Sequence, residues 1–178
     1  MTTRGAVIAR SGATKQSPPS IGLPFWHPGA LIATGLGTGL LPWAPGSWGS
    51  LAALPCAYII RDLGGVTALA VAVTIGFATG CWAAGRVARA SGEHDPGFIV
   101  IDEVAAQWLT LLAVPLDWRW FAAAFLLFRL FDITKPWPAR TIERRVAGGL
   151  GIMLDDVVAA LYAVLLLLIG EGVLGVRP

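Results

Sequence analysis

Charge is scarce in this sequence. Only 13% of its 178 residues are Asp, Glu, Lys or Arg, about half the roughly 25% of an ordinary soluble domain. Hydrophobic residues make up 56%, and the mean hydropathy is +0.69. A monomer of this size cannot hide that much apolar surface in its own core, so a freely soluble fold is excluded and lipid must cover part of it. The net charge of +2 is too small for a nucleic-acid footprint, and the Trp residues stand in apolar context rather than between Lys and Arg. Cysteine is nearly absent. Cys56 and Cys81 lie in apolar runs without ligand spacing, which removes a thiolate metal site and predicts two buried thiols. A continuous apolar run is missing from residues 1–28, where Gly, Ser, Thr and Pro dominate. That stretch is expected to be a flexible cytoplasmic tail rather than a cleaved signal.

What is present is a series of apolar stretches, and a membrane span needs about 20 such residues. Gly49–Ile60 with its flanks, Val66–Val87, Phe98–Leu116 and Gly151–Ile169 come near that length. Trp118–Ile133 is shorter and aromatic, and Gly29–Leu41 is too short and too rich in Gly to span. The expected fold is an all-α, multi-pass membrane helical bundle of about four to five spans. A short re-entrant or interfacial helix would precede it, and one domain would cover residues 29–178. Followed through five passes, the chain brings Pro45–Ser50, Glu93–Glu103, Arg129–Arg140 and Gly148–Asp156 to one face. Ten of the 13 Lys and Arg residues fall on that face, against Arg61, Arg119 and Arg177 on the other. Positive charge marks the cytoplasmic side, so the N-terminus is expected inside and the C-terminus outside.

The polar face is acidic at its centre. Asp95, Asp102, Glu103, Asp132, Asp155 and Asp156 are six of the 11 carboxylates, and several interrupt apolar runs. Ionisable groups within a membrane are functional by default. Oxygen ligands without neighbouring thiolates suit a hard cation, Mg²⁺ before Mn²⁺ or Ca²⁺. Asp102, Glu103, Asp155 and Asp156 are the expected ligands, and His94 is expected only beside them or at the interface. Arg129 and Lys135 would hold an anion, the first as a fork and the second as a point charge. Ser47, Gly46 and Gly49 are expected to assist through hydroxyl and backbone N–H groups, although Gly-rich turns also serve tight packing. Carboxylates, a divalent cation and basic side chains at one interface point to phosphate-ester chemistry.

Four segments carry a resemblance. They are Gly37–Leu40 with Ala44–Ser50, Asp95-Pro96 with Ile99–Glu103, Phe128–Pro138, and Gly148–Asp156 followed by Ala159. Together, and in this order, they resemble the phosphatidylglycerophosphatase A family. Ser47 stands where Thr is common and Ala106 where Gly is expected. The resemblance implies a Mg²⁺-dependent enzyme of the bacterial inner membrane. It would hydrolyse phosphatidylglycerophosphate to phosphatidylglycerol and phosphate on the cytoplasmic side.

Rival chemistries lack their residues. Four residues, not five, separate Cys81 from Arg86, and Asp132-Ile133-Thr134 lacks a second Asp. Neither His27 nor His94 follows Ser-Gly, and the Asp-Gly-x₂-Ala-Arg element of the CDP-alcohol transferases is absent. A divalent-cation carrier, or a phosphatase for another phospholipid phosphate, is the alternative.

Overall fold

The computed structural model describes residues 21–174, so the expected tail up to residue 20 and Arg177 lie outside the described residues. Those residues are all helical and contain no strand. The elements are α1 (Pro28–Ala33), a 3₁₀ turn (Thr38–Leu40), α2 (Pro45–Ser91), α3 (Ile101–Leu111), α4 (Trp118–Thr134), α5 (Ala139–Arg145) and α6 (Gly149–Leu174). Pro28 opens α1 at a position where a missing N–H is harmless, and His27 Nδ1 accepts from the Gly29 N–H at 3.0 Å. Ile21 and Leu23 already pack against the core formed by α2 and α3, so the folded unit includes residues ahead of Gly29.

The 47 residues of α2 are two helices. Gly65, with φ 67° and ψ −169°, occupies a region open essentially to Gly alone. There the chain turns back. Trp108 Nε1 of α3 donates to the Ala53 carbonyl at 3.0 Å, and Gly49 lies against Val100, so the first arm (45–64) runs beside α3 in the same sense. Leu69 clusters with Leu111, Gly76 lies at Trp108 and Gly80 at Ile101, so the second arm (66–91) runs the opposite way. Phe121 of α4 and Leu167 of α6 share the far cluster with Leu111, while Phe128 packs on Ala159 and Ala160. The starts of α3 and α6 and the end of α4 therefore meet at one end of the bundle.

Small residues let the backbones approach. A Cβ at Gly149 would stand 1.9 Å from the Cys81 carbonyl oxygen and 2.6 Å from the Gly85 nitrogen, so α6 touches α2 backbone to backbone. Small-residue contacts of this kind are how helices associate where lipid removes the hydrophobic drive.

Two described helices are long and apolar enough to cross a membrane, Pro45–Ser91 and Gly149–Gly172. Their outward faces carry Leu51, Ile59, Leu63, Ile75, Leu165 and Ile169 exposed, a surface compatible with lipid. The expected span Phe98–Leu116 is shorter than its apolar run. Ile99 N–H turns back to the Pro96 carbonyl and Val100 N–H bonds the Ala33 carbonyl, so the helix starts only at Ile101. Its 11 residues rise about 16 Å, against a hydrocarbon core of about 30 Å. Arg61 closes its other end by donating to the Leu111 carbonyl at 2.9 Å and to the Val114 carbonyl. Neither thiol is fully buried: Cys56 is exposed and Cys81 partly so. Apolar sequence context predicts burial, but here the context faces outward.

Gly149→Ala is expected to lower the thermal unfolding midpoint in detergent, by an overpacking penalty of about 1–3 kcal/mol. Gly170→Ala, with nothing within 4 Å of the new methyl, should leave the midpoint unchanged or raise it. Equal midpoints for the two would contradict the backbone contact.

Candidate active site

The end of the bundle where α3, α4 and α6 meet collects the carboxylates. Asp102 and Glu103 stand in the first turn of α3, where unpaired N–H groups and the helix dipole favour negative charge. Asp156 of α6 reaches them: one oxygen from each of Asp102, Glu103 and Asp156 lies within 4.8 Å of the others. Asp102, Asp132, Asp155 and Asp156 are all buried, Asp156 to 3% exposure. Asp102 Oδ1, Glu103 Oε2 and Asp156 Oδ2 are buried without a hydrogen-bond partner. Leaving one such oxygen unmatched costs roughly 1–3 kcal/mol, more when it is charged. Three converging carboxylates, each with one such oxygen, fit a hard divalent cation. Asp102, Glu103 and Asp156 are the residues that would hold it.

Two cations brace the acids from either side. Arg129 of α4 meets Asp132 at 2.5 Å and Glu103 at 3.7 Å, and donates to Ser50 Oγ at 3.4 Å. Lys135, the left-handed residue that ends α4 (φ 43°), meets Asp155 at 2.7 Å and Glu143 of α5 at 2.9 Å. Burial alone would pull the Lys135 ammonium pKa down. Its hydrogen bonds to Asp155 and Glu143 outweigh that and push it up, so the group stays charged. Asp95 stands exposed on the turn before α3.

Residues 31–171 match the family model described as Phosphatidylglycerophosphatase A. The chain belongs to the phosphatidylglycerophosphatase A family. It is 44% identical over 139 residues to phosphatidylglycerophosphatase A of Escherichia coli K12, covering 78% of each chain. The Haemophilus influenzae protein of the same name is also 44% identical, over 140 residues that cover 78% of this chain and 86% of the relative. A Bacteroides thetaiotaomicron protein with the provisional name phosphatidylinositol-3-phosphatase is 42% identical over 153 residues, 82% of this chain and 94% of its own. No solved structure matches.

Within this family member, the four expected metal carboxylates divide. Asp102, Glu103 and Asp156 converge, whereas Asp155 turns to Lys135 and stands outside that trio. Adjacent helix positions point about 100° apart, which is why two neighbouring Asp residues serve different partners. Arg129 and Lys135, expected on substrate, are engaged by carboxylates of the chain itself. Gly46 and Gly49 act as contact points. A Cβ at Gly46 would lie 1.8 Å from Glu103 Oε1, and one at Gly49 2.8 Å from Val100 Cβ. Ser47 is half-buried beside them, without a side-chain hydrogen bond among the described residues.

Glu143 is missing from the sequence expectations, Ser50 enters from the expected Ala44–Ser50 segment, and Gln107 is a further buried polar residue of α3. Ser50 is fully buried, donates to the Gly46 carbonyl at 2.9 Å and accepts from Arg129. Glu143 shares Lys135 with Asp155. Gln107 is fully buried with both amide atoms unpartnered. It lies one turn beyond Glu103, and that i, i+4 spacing was the available signal.

Arg129→Ala is expected to destabilise the fold by about 3–5 kcal/mol, because Asp132 and Glu103 lose a buried counter-ion. Arg129→Lys should recover part of this, lacking the planar fork. Thermal unfolding in detergent measures both. A midpoint unchanged by Arg129→Ala would show that the acids do not depend on this pair.

Proposed function

We propose that this chain is a membrane-embedded, Mg²⁺-dependent phosphatase that hydrolyses phosphatidylglycerophosphate to phosphatidylglycerol and inorganic phosphate. The observation that carries the reading is the convergence of Asp102, Glu103 and Asp156, with three unmatched buried oxygens, in a member of this family. Mg²⁺ held there would polarise the phosphoryl oxygens and lower the pKa of a bound water. The chain's own residues do the rest. Arg129 fixes Asp132 and Glu103 in place, and Lys135 fixes Asp155. Asp95, exposed at the rim, takes the proton of the attacking water and returns it to the departing glycerol oxygen as the phosphorus–ester oxygen bond breaks, giving the alcohol and inorganic phosphate.

We read the bundle as five passes: 45–64, 66–91, α3, α4 and α6. The short α3 is flanked by both arms of α2 and by α6, so it need not present a full-length apolar surface to lipid. The acidic end is cytoplasmic, following the excess of Lys and Arg on that side, in a bacterial inner membrane. At the opposite end Leu69, Leu111, Phe121 and Leu167 close the core, which disfavours a cation path across the bilayer. A second lipid is also supported. The Bacteroides relative is named for a phosphoinositide, and that lipid, like phosphatidylglycerophosphate, joins a phosphodiester to a phosphomonoester.

The purified protein in detergent should release phosphate from phosphatidylglycerophosphate with Mg²⁺ and not with EDTA. Asp102→Asn or Asp156→Asn should lower the rate by at least about a hundredfold, the upper range for disturbing a metal's surroundings, while the protein stays folded. Wild-type turnover in either variant would overturn the assignment. A C-terminal reporter should be active only outside the cytoplasm; cytoplasmic activity would contradict five passes.

A further inference from the structure

Pairing within the acidic site leaves it short of free positive charge. Arg129 is held by Asp132, Glu103 and Ser50, and Lys135 by Asp155 and Glu143. A lipid that carries two phosphates needs a further cationic partner. One lies next door. A cleft of about 450 Å³ runs between the end of α4 and α5, lined by Thr134, Lys135, Arg140, Thr141, Arg144 and Arg145. Arg140 Nη2 donates to the Thr134 carbonyl at 3.3 Å and so caps α4. Arg144 and Arg145 are exposed, and among the described residues neither has a carboxylate within 4.0 Å. Four cations surround one cleft, and of these only Lys135 is paired with carboxylates among the described residues, Asp155 and Glu143, which leaves a strong anion trap.

Its position says which anion. Lys135 belongs both to this cleft and to the acidic site, through Asp155. The two sites are therefore neighbours along the head group rather than separate surfaces. Trp137 sits at the rim, 77% exposed, with its carbonyl anchored by the Tyr162 hydroxyl at 2.8 Å. An exposed Trp beside Arg and Lys marks the depth of phospholipid head groups. Guanidinium forks match phosphate oxygens in geometry and charge.

We propose that the α4–α5 cleft binds the phosphodiester of the lipid head group while the terminal phosphomonoester lies at Asp102, Glu103 and Asp156. The cleft then makes the enzyme select lipids that carry a phosphodiester as well as a phosphomonoester. Phosphatidic acid, with a monoester alone, gains nothing from it. This deepens the lipid-phosphatase reading and rests on it.

The test uses the full chain in neutral detergent, free of other anionic lipid, with Arg144→Gln/Arg145→Gln and its Lys/Lys counterpart. The ratio of kcat/KM for phosphatidylglycerophosphate over phosphatidic acid should fall about tenfold in the Gln pair. A loss of that size is what one or two charge-assisted hydrogen bonds give. The change should appear in KM, and Lys/Lys should recover part of it. An equal loss on both lipids, a loss in kcat alone, or no loss would overturn the proposal. A separate arm measures binding of fluorescent phosphatidylglycerol in EDTA, where no turnover is needed. The Gln pair should bind it about tenfold more weakly than wild type, and equal binding would overturn the cleft. Absence of phosphatase activity in the wild type beside intact, arginine-dependent binding would strike the proposed reaction and leave the cleft standing.

Discussion

Carboxylates held inside an apolar bundle are the constraint on which the rest of this structure depends. Asp102, Glu103, Asp132, Asp155 and Asp156 crowd one end, and among the described residues Arg129 and Lys135 offset them there. Removing a charged group from water costs several kcal/mol even after relaxation, and like charges in a low dielectric add to that. The fold meets this cost in three ways. Helix α3 begins at the pair Asp102–Glu103, so its N-terminal N–H groups face the negative charge. Arg129 and Lys135 each bridge two carboxylates from different helices. Asp102, Glu103 and Asp156, each with an unmatched buried oxygen, converge on one another, and a divalent cation held there would complete the balance.

Bringing those groups together requires close backbones. Gly46 admits Glu103 and Arg129 to the start of α2, Gly49 admits Val100, and Gly149 admits the Cys81 carbonyl. The turn at Gly65 folds α2 into a hairpin, so that residues 80–85 return to the end where residues 46–50 begin, with Gly49 at Val100 and Gly80 at Ile101. Of the glycines that a sequence reader assigns to a phosphate cradle, Gly46 lies against Glu103 and Arg129 and Gly49 against Val100.

The site separates two kinds of charge. Acidic residues from α3 and α6 form the part suited to a metal, and basic residues from the end of α4 and from α5 form an adjoining cationic cleft. A soluble enzyme could take its substrate from any direction. In the proposed membrane setting, the exposed apolar faces of α2 and α6 and the exposed Trp137 would set the depth at which a lipid presents its head group. Lys135 links both parts, and its left-handed backbone turns the chain from α4 into α5.

Much of this was legible in the sequence because the physics was local. Low charge and long apolar runs gave the helical class. The break at Pro96-Gly97 and the i, i+3 pairing of Arg129 with Asp132 also follow from nearby residues. Family membership was legible for the same reason, since the four segments are contiguous strings. The tertiary structure alone decided which carboxylates converge. Asp155 and Asp156 are equivalent in sequence, yet helix rotation sends one to Lys135 and the other to Asp102 and Glu103. It also decided that Arg129 is already paired, that Ser50 and Glu143 join the site, and that α3 ends near Arg61 rather than spanning its apolar run. Composition and periodicity report how each segment partitions between water and apolar surroundings. Partners across helices depend on rotation and crossing, which no single segment encodes.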